Sequence, residues 1–496
     1  MIRKVLIGTD LLISYILNID YIEGITILFR WIQRIGARKY IDMGSILILT
    51  HFSTISKFKR LSDFDVIETI PRLSPTLKSL SMRAVSAGED IRALLMQVNL
   101  LEHGYADILV TENRATQELS KARGYDDRVF TIEEFVEMCV TDHRELDEMR
   151  GVGLQMVRFG TLSLKDPFFK TFINEYAPYY YTWFERKADD LVYVAKDAKG
   201  GLHALLKLKE EIVEEKENDI TPSLPIGKYL KISSLKVDYT GQKLGERFLR
   251  IIFDQAVKSR VDYIYYTIYG NSIQRKRLIG MLSKWGFRLW GTKNTGEQVY
   301  IRLFRRELSS DPILQYPFQN WRSNVYLIAI ERNFADLLVP PTEVRNQFYD
   351  IEPFKNAIRK LLILESRNMT VKTGDCLMFY RKGRTDAMSF ITAVGVIDGV
   401  FTSFLNEEHF IRRCQKRSVL PHEALHEYWE RYEGKPIVVD FLHSYSFKIG
   451  EIDRSKMILT GVEFNKLMSN MFVKLSENQV RALLKDTEYE KNFIIN

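Results

Sequence analysis

Between residues 231 and 286 the spacing of apolar side chains alternates repeatedly between strand and helix periods, and this restricts the possible fold more than any other stretch. Residues 231–238 alternate as a strand, and a turn follows at Gly241. Leu244, Phe248, Ile251, Ile252 and Ala256 then recur near helical spacing, in a helix expected from about residue 242 to about residue 258. A second strand over 263–269 leads into a helix over 273–285, which Gly286 closes. The order is strand–helix–strand–helix–strand, an α/β pattern. A helix that starts just past Asp238 exposes its first N–H groups where the strand ends, so a pyrophosphate could sit on them. Gly245 would let the backbone approach such an anion closely.

The chain has 496 residues. At roughly 100–200 residues per domain that length divides into two to four domains. A hydrophobic share of 46% and an aromatic share of 12% exclude a disordered protein. Asp10, Asp20 and Glu23 interrupt the most apolar run, residues 5–29, so it falls short of the ~18 apolar residues of a membrane helix. Asp10 also interrupts any signal-peptide core after Arg3 and Lys4, and with no membrane or export signal the expected location is the cytoplasm. Cys139, Cys376 and Cys414 lack zinc-site spacing and fit a reducing compartment. The net charge of +7 is unevenly placed: residues 231–306 hold 16 basic and 5 acidic side chains, whereas residues 1–140 hold 17 and 18. A basic segment of this kind attracts a phosphate-bearing partner, either a nucleotide cofactor or nucleic acid. We expect three modules, over 1–140, 150–306 and 320–496, in an α/β plus α+β architecture.

In the first module the strands Val5-Leu6-Ile7 and Ile108-Leu109-Val110 alternate with helical stretches, as in a parallel α/β sheet. Ligands of such sheets gather at the carboxyl ends of strands, here Gly8-Thr9-Asp10 and Thr111-Glu112-Asn113. With a helix opening at Glu89-Asp90 and the run 106–113, these residues resemble the PIN domain, a metal-dependent RNase fold. The resemblance implies about four carboxylates holding Mg²⁺ or Mn²⁺ through hard oxygen ligands. Asp10, Asp90 and Asp107 are the metal-site candidates, and Glu112 would complete an active cluster. The first family Asp falls at Gly8, the last at Asn113, and the second acid, due after Tyr40, meets the apolar run 46–49. The expectation is a PIN fold without nuclease activity or a Mg²⁺ or Mn²⁺ requirement, serving as a scaffold or RNA-docking surface. A metal-dependent RNase is an alternative, and helix capping or loop solvation is the plainest role for the same acids.

In the second module, Gln242 and Gly245 lie between a strand and an amphipathic helix and are followed by strand, helix and Gly286-Phe287. They resemble the Gln/Arg-x-x-Gly-x-Gly/Ala motif of GNAT-type N-acetyltransferases, with Arg247 replacing the final small residue. The resemblance implies a mixed α/β domain that takes acetyl-CoA, with Gln242, Lys243, Leu244, Gly245, Glu246 and Arg247 at the pyrophosphate. The Arg247 guanidinium would complement the phosphates. It also implies that the fourth and fifth strands splay, so that backbone groups of Leu235, Lys236 and Val237 hold the pantetheine arm and polarise the thioester carbonyl. Many members carry a tyrosine four residues before the Gly-Phe pair; here that position is Leu282. Tyr266, Tyr269 and Tyr300 are the candidates for a general acid, and strand packing is the plainer role for each. Tyr269 is the catalytic choice, because it ends its strand beside the expected acceptor opening. Arg275, Lys276 and Arg277, with Lys284 and Arg288, would form a solvated helix face or meet either the cofactor's 3′-phosphate or an RNA backbone.

After Pro312 and Pro317 several short strands suggest a small β-barrel with inserted helices. The Gly374-Asp375 turn, the strand Phe379-Tyr380-Arg381 and the strand ending Gly395-Val396-Ile397 resemble the PUA-like superfamily, nearest its ASCH and EVE branches. The Gly-x-Lys-x-x-Glu signature of many ASCH domains is missing. Members commonly bind RNA or a modified base. Arg381, Lys382, Arg384, Arg412, Arg413, Lys416 and Arg417, interleaved with Trp429 and Tyr432, suit phosphate contacts and base stacking. His422 and His426 stand four apart with no third metal ligand in sequence.

Together the three resemblances imply an acyl-CoA-dependent N-acetyltransferase acting on an RNA-linked or protein amine, such as an aminoacyl-tRNA. It would be toxin-like, as in toxin–antitoxin systems, or stress-related, with flanks that recruit RNA or a protein partner. The alternative is a non-catalytic module that senses acetyl-CoA and binds RNA or protein.

Overall fold

The computed structural model describes residues 2–17, 22–52, 61, 63–86, 92–143, 154–176, 178–197, 200–211, 219–238, 243–269, 273–304, 309–320, 323–342, 357–364, 370–385, 388–415 and 417–495. The first module is a five-stranded sheet of β1 (Lys4–Ile7), β2 (Arg38–Asp42), β3 (Asp65–Ile67), β4 (Ile108–Val110) and β5 (Val129–Phe130), in the order β3-β2-β1-β4-β5. Every pair in it is parallel. Parallel neighbours need crossover connections, and helices supply them. These are α1 (Thr9–Leu17), α2 (Ile22–Arg34), α3 (Met43–Phe52), α4 (Pro75–Ser86), α5 (Arg92–Glu102) and α6 (Arg114–Ala122), and α7 (Ile132–Asp142) follows β5. The apolar run 46–49 lies within α3. Asn113 caps α6, its side chain accepting from the Thr116 N–H, and a Thr131–Glu134 capping box opens α7.

The second module is an eight-stranded sheet: β6 (Leu154–Arg158), β7 (Leu191–Lys196), β8 (Leu202–Glu211), β9 (Ile220–Thr221), β10 (Tyr229–Val237), β11 (Tyr263–Ile268), β12 (Arg288–Lys293) and β13 (Gln298–Leu303). Its order is β6-β7-β8-β10-β11-β13-β12-β9. Among the described strands of this sheet only β10 and β11 pair in parallel, and the helix between them explains why. One face is covered by α8 (Lys170–Tyr176) and α9 (Tyr179–Arg186), through an aromatic cluster of Phe159, Phe168, Phe169, Tyr180 and Phe184. Across the other face lie α10 (Leu244–Lys258) and α11 (Ile273–Lys284). Leu244, Phe248, Leu249, Ile252, Phe253 and Ala256 are the inward stripe of α10.

The third module contains β14 (Gln319–Asn320), β15 (Val325–Glu331), β16 (Arg359–Leu364), β17 (Cys376–Lys382), β18 (Phe390–Phe401), β19 (Ile437–Ser446), β20 (Phe472–Leu475) and β21 (Ile494–Ile495). Six of them form a sheet ordered β16-β19-β18-β17-β15-β20. The closed barrel expected from the sequence is not found among the described residues: no strand pairing joins the edges β16 and β20. Backbone pairing gives way there to a cavity of about 90 Å³ lined by Ile328, Ile330, Leu362, Leu364, Tyr428 and Phe472.

The segment around Pro312 and Pro317 is not a free linker. Tyr316 lies in a buried cluster, its ring 5.4 Å from those of both Phe253 and Trp285. One apolar core therefore runs from Leu154 in the second module to Ile494 in the third. Among the described residues, the buried apolar clusters of the first module, by contrast, draw on residues from 5 to 140, with Ile2 packed against them. No described helix is long and apolar enough to cross a membrane.

Candidate functional site

The β10/β11 ladder runs from Tyr229↔Tyr263 to Ile232↔Tyr266 and then stops. A bulge between Ile232 and Ser234 shifts β10, which continues along β8 as far as Val237↔Ala204. Meanwhile β11 continues along β13 to Ile268↔Gln298. The two strands thus part beyond Tyr266, and β10 from Ser234 to Val237 keeps a backbone edge that β11 does not pair. An unpaired edge within a sheet supplies N–H and C=O groups to whatever enters the gap. Tyr266 stands at the fork, and its hydroxyl donates to the Leu235 carbonyl at 3.4 Å. Burial raises the Tyr266 phenol above the ordinary tyrosine range, so it keeps its proton. Tyr300, its partner across the β11/β13 ladder, is bonded to Gln298 at 3.2 Å.

Other expected residues occupy different surroundings. The Lys236 ammonium is tied to the Phe168 carbonyl at 2.7 Å and to Asp238 at 2.9 Å. Val237 packs against the buried core. Tyr269, just past β11, lies 5.5 Å from the Tyr176 ring with the Arg275 guanidinium over its own face. Leu282 is fully buried in the core, so a side chain there serves packing.

Helix α10 opens at Lys243, which is in the left-handed conformation (φ 50°), and the Arg247 N–H closes the first turn on the Lys243 carbonyl. The N–H groups of Leu244, Gly245 and Glu246 precede that bond, at the positive end of the helix dipole. Gln242 lies outside the described residues. A Cβ added at Gly245 would sit 2.9 Å from Met281 Sδ, so this glycine lets α10 approach α11 closely, a packing role in place of the expected approach to a ligand. Arg247 is buried with 1% exposure and does not present an open cationic surface. Lys243 is also buried, and its ammonium lies 2.9 Å from Glu137 of α7. On the next residues of the same turn, Glu246 accepts the backbone N–H of Arg359 from the third module. The start of α10 is therefore wedged between the two flanking modules.

The basic excess of this segment is partly internal. Arg250 donates to the carbonyls of His443 and Ser444, and Arg302 to those of Leu314 and Tyr316. Desolvation pulls Arg302 down to about 9. Arg275 forms an ion pair with Glu175. The side chains of Lys276 and Arg277 lie outside the described residues. In the third module Arg381 makes a two-pronged bond to Asp336, at 2.7 and 3.1 Å. Arg412 bonds Asp127 of the first module at 2.8 Å, and Arg413 is buried against Asp440 at 2.7 Å. These three guanidiniums, expected on RNA, are engaged by carboxylates of the protein itself. His426 bonds Glu407 at 2.6 Å, and no group of three metal-ligating side chains occurs among the described residues.

The carboxylates of the first module do not assemble as expected. Asp107 precedes β4 and accepts the N–H groups of Arg3 and Lys4 at the amino end of β1, both at 2.8 Å. Asp10 follows β1 at its carboxyl end, bonded to the Thr111 hydroxyl at 2.7 Å and the Glu112 N–H at 2.8 Å. From Asp107 to Thr111 the strand rise separates the two by about 13 Å, so Asp10 and Asp107 cannot share a metal. Asp90 lies outside the described residues. The acid that the sequence reading missed is Asp42, buried at the carboxyl end of β2, which accepts from Ser45 N–H at 2.9 Å and Gln97 at 3.2 Å. Its position at the end of the short run Tyr40-Ile41, directly before the helical stretch from Met43, was the available signal. Gly8 explains the missing first acid: a Cβ there would lie 2.4 Å from Asp10 Oδ1 and 2.7 Å from Thr111 Cβ. Asp10 fills the space that a side chain at position 8 would need. Gly8→Ala should accordingly lower the melting temperature, at a cost of ~1–3 kcal/mol from overpacking. Thermal unfolding followed by circular dichroism checks this, and an unchanged midpoint would show that Asp10 moves aside freely.

No protein-family model matches the sequence, and no curated protein does. Among solved structures, the chain is similar to a GNAT-family acetyltransferase from Staphylococcus aureus, with 12% identity and a TM-score of 0.24 over 31% of this chain and 99% of that one. It is also similar to a GNAT-family N-acetyltransferase from Escherichia coli in complex with CoA, with 14% identity and a TM-score of 0.20 over 30% and 82% of the two chains. A third similarity is to an ASCH protein from Zymomonas mobilis, with 10% identity and a TM-score of 0.22 over 32% and 94%.

Proposed function

We propose that the second module binds an acyl-CoA and transfers its acetyl group to an amine. The observation that carries this reading is the fork between β10 and β11, with α10 beginning just beyond the end of β10. A thioester supplies an activated acyl group. The backbone of Leu235, Lys236 and Val237 would hold the pantetheine arm on the edge that β11 leaves unpaired. The first N–H groups of α10 would meet the pyrophosphate. Tyr266, with its proton held at Oη inside the fork, is better placed than Tyr269 to protonate the departing thiolate. Tyr269 walls the end of β11, where the amine would enter.

Between an RNA-linked and a protein amine, the internal engagement of Arg381, Arg412 and Arg413 favours the protein amine. A second reading, an acetyl-CoA sensor without turnover, is favoured by the apolar Leu282 and by the wedged start of α10. Calorimetry of the full chain with acetyl-CoA tests binding. Release of free CoA thiol in the presence of amine-bearing peptides, measured beside tRNA, tests transfer and its acceptor. Saturable binding with peptide-dependent thiol release is expected. Binding without release under any acceptor would favour the sensor, and a folded protein that binds no acetyl-CoA would overturn both.

A further inference from the structure

We propose that the first module is a displaceable cover on the acyl-CoA turn, so that cofactor binding and docking of this module oppose each other. The inference rests on the acyl-CoA reading of the second module. Among the described residues the first module meets the other two through Glu137 and Lys243 at 2.9 Å, Asp127 and Arg412 at 2.8 Å, and Asp142 and Gln415 at 2.7 Å. All three pairs are polar, and among the described residues no apolar cluster crosses this seam. The second and third modules, in contrast, share a continuous apolar core. Charged groups regain their hydration when a polar seam opens, whereas opening an apolar core exposes greasy surface with no return. The first module is thus the part of the molecule that can leave at the smallest cost.

Its position decides what its departure would uncover. Glu137 projects from α7 onto Lys243, the residue that opens α10, and the pair is buried with 8% and 4% side-chain exposure. A carboxylate therefore stands beside the helix start where the phosphates of the cofactor would be received. Two anionic groups cannot both be packed against one buried ammonium without repulsion in a poorly screened environment. Burial also pushes the Glu137 carboxyl upward against the pull of Lys243, so desolvation takes back much of the attraction in the pair. Such a contact holds the module in register while remaining exchangeable for a ligand that brings more charge. Linkage then requires reciprocity: whatever factor docking subtracts from acetyl-CoA affinity, acetyl-CoA subtracts from docking.

The experiment uses the full chain and acetyl-CoA in calorimetry, with two variants. Glu137→Gln removes the charge at the turn with little change in shape. Asp127→Asn weakens the seam at Arg412, away from the turn, and keeps the proposal testable should the first variant fold poorly. Both variants should bind acetyl-CoA about fivefold to tenfold more tightly than wild type. Amide hydrogen exchange in α7 should accelerate when acetyl-CoA is added to wild type. Wild-type binding with unchanged or weaker affinity in both folded variants, or exchange in α7 that slows with ligand, would overturn the cover while leaving the acyl-CoA reading intact. No acetyl-CoA binding by wild type or either variant would overturn that reading and the cover with it.

Discussion

An Asp440→Ala protein should melt far below wild type, because it strips the counter-charge from guanidiniums enclosed in the third module. Asp440 lies on β19 with 5% side-chain exposure and accepts from Arg413 at 2.7 Å and from Arg417 at 2.6 Å. The Arg413 guanidinium also lies 3.9 Å from the centre of the Phe401 ring, so it is held between a carboxylate and an aromatic face. Removing one member of a buried ionic group leaves the others uncompensated, at a cost of ~3–5 kcal/mol. That is a large part of the ~5–15 kcal/mol by which domains are stable. Burial alone would raise the Asp440 carboxyl, but Arg417 and Arg413 more than offset it and hold the group below its ordinary value. The carboxyl is thus lowered on folding, and its stabilisation is present above the ordinary aspartate pKa and lost as pH falls through the lower folded value. Thermal melts of wild type, Asp440→Asn and Asp440→Ala, repeated down an acid series, check the claim. Asp440→Asn should fall between the other two and lose the acid-dependent part. Equal midpoints for wild type and Asp440→Ala would return Arg413 to the list of residues available to an outside phosphate.

Tyr266→Phe should lower acetyl transfer by ~10²-fold, the usual scale for removing a placed general acid. Its affinity for acetyl-CoA should stay within about threefold, since a phenol that acts on the leaving thiolate adds little to ground-state binding. The single hydroxyl bond to Leu235, at 3.4 Å, is long, so the loss of stability should stay under ~1 kcal/mol. These two limits separate chemistry from packing, because a merely structural tyrosine would shift melting and binding along with turnover. Burial raises the phenol above its ordinary value, so the alkaline limb from its own titration should lie above the ordinary tyrosine range. Steady-state kinetics, calorimetry and melting on the same preparations test this. Unchanged turnover in Tyr266→Phe would remove this residue from the chemistry and leave Tyr269 as the group to replace.

The secondary structure around the candidate site was largely legible in the sequence. The helix expected over 242–258 is α10 (Leu244–Lys258), and the strand expected over 263–269 is β11 (Tyr263–Ile268). Apolar periodicity is a local property, fixed by the 3.6- and 2-residue repeats of the backbone itself. What the side chains of those elements do was a different matter. The charge count of residues 231–306 is the same whether an arginine faces solvent or spans a core, yet Arg247, Arg250 and Arg302 are buried. Asp107 and Asp10 both border strands, but the parallel sheet sets them at opposite ends. Gly245 matched a ligand motif in sequence, and its space is taken by Met281 from the next helix. Lys243 and Glu137 stand in separate modules, and only the docking of α7 on α10 brings them within 2.9 Å. The sequence by itself determined the order and type of the elements, because hydrogen bonding and burial of one face act over a few residues. The tertiary structure alone decided which charges neutralise one another and which anion stands at the start of α10, because Coulombic partners are chosen by distance in space, not along the chain.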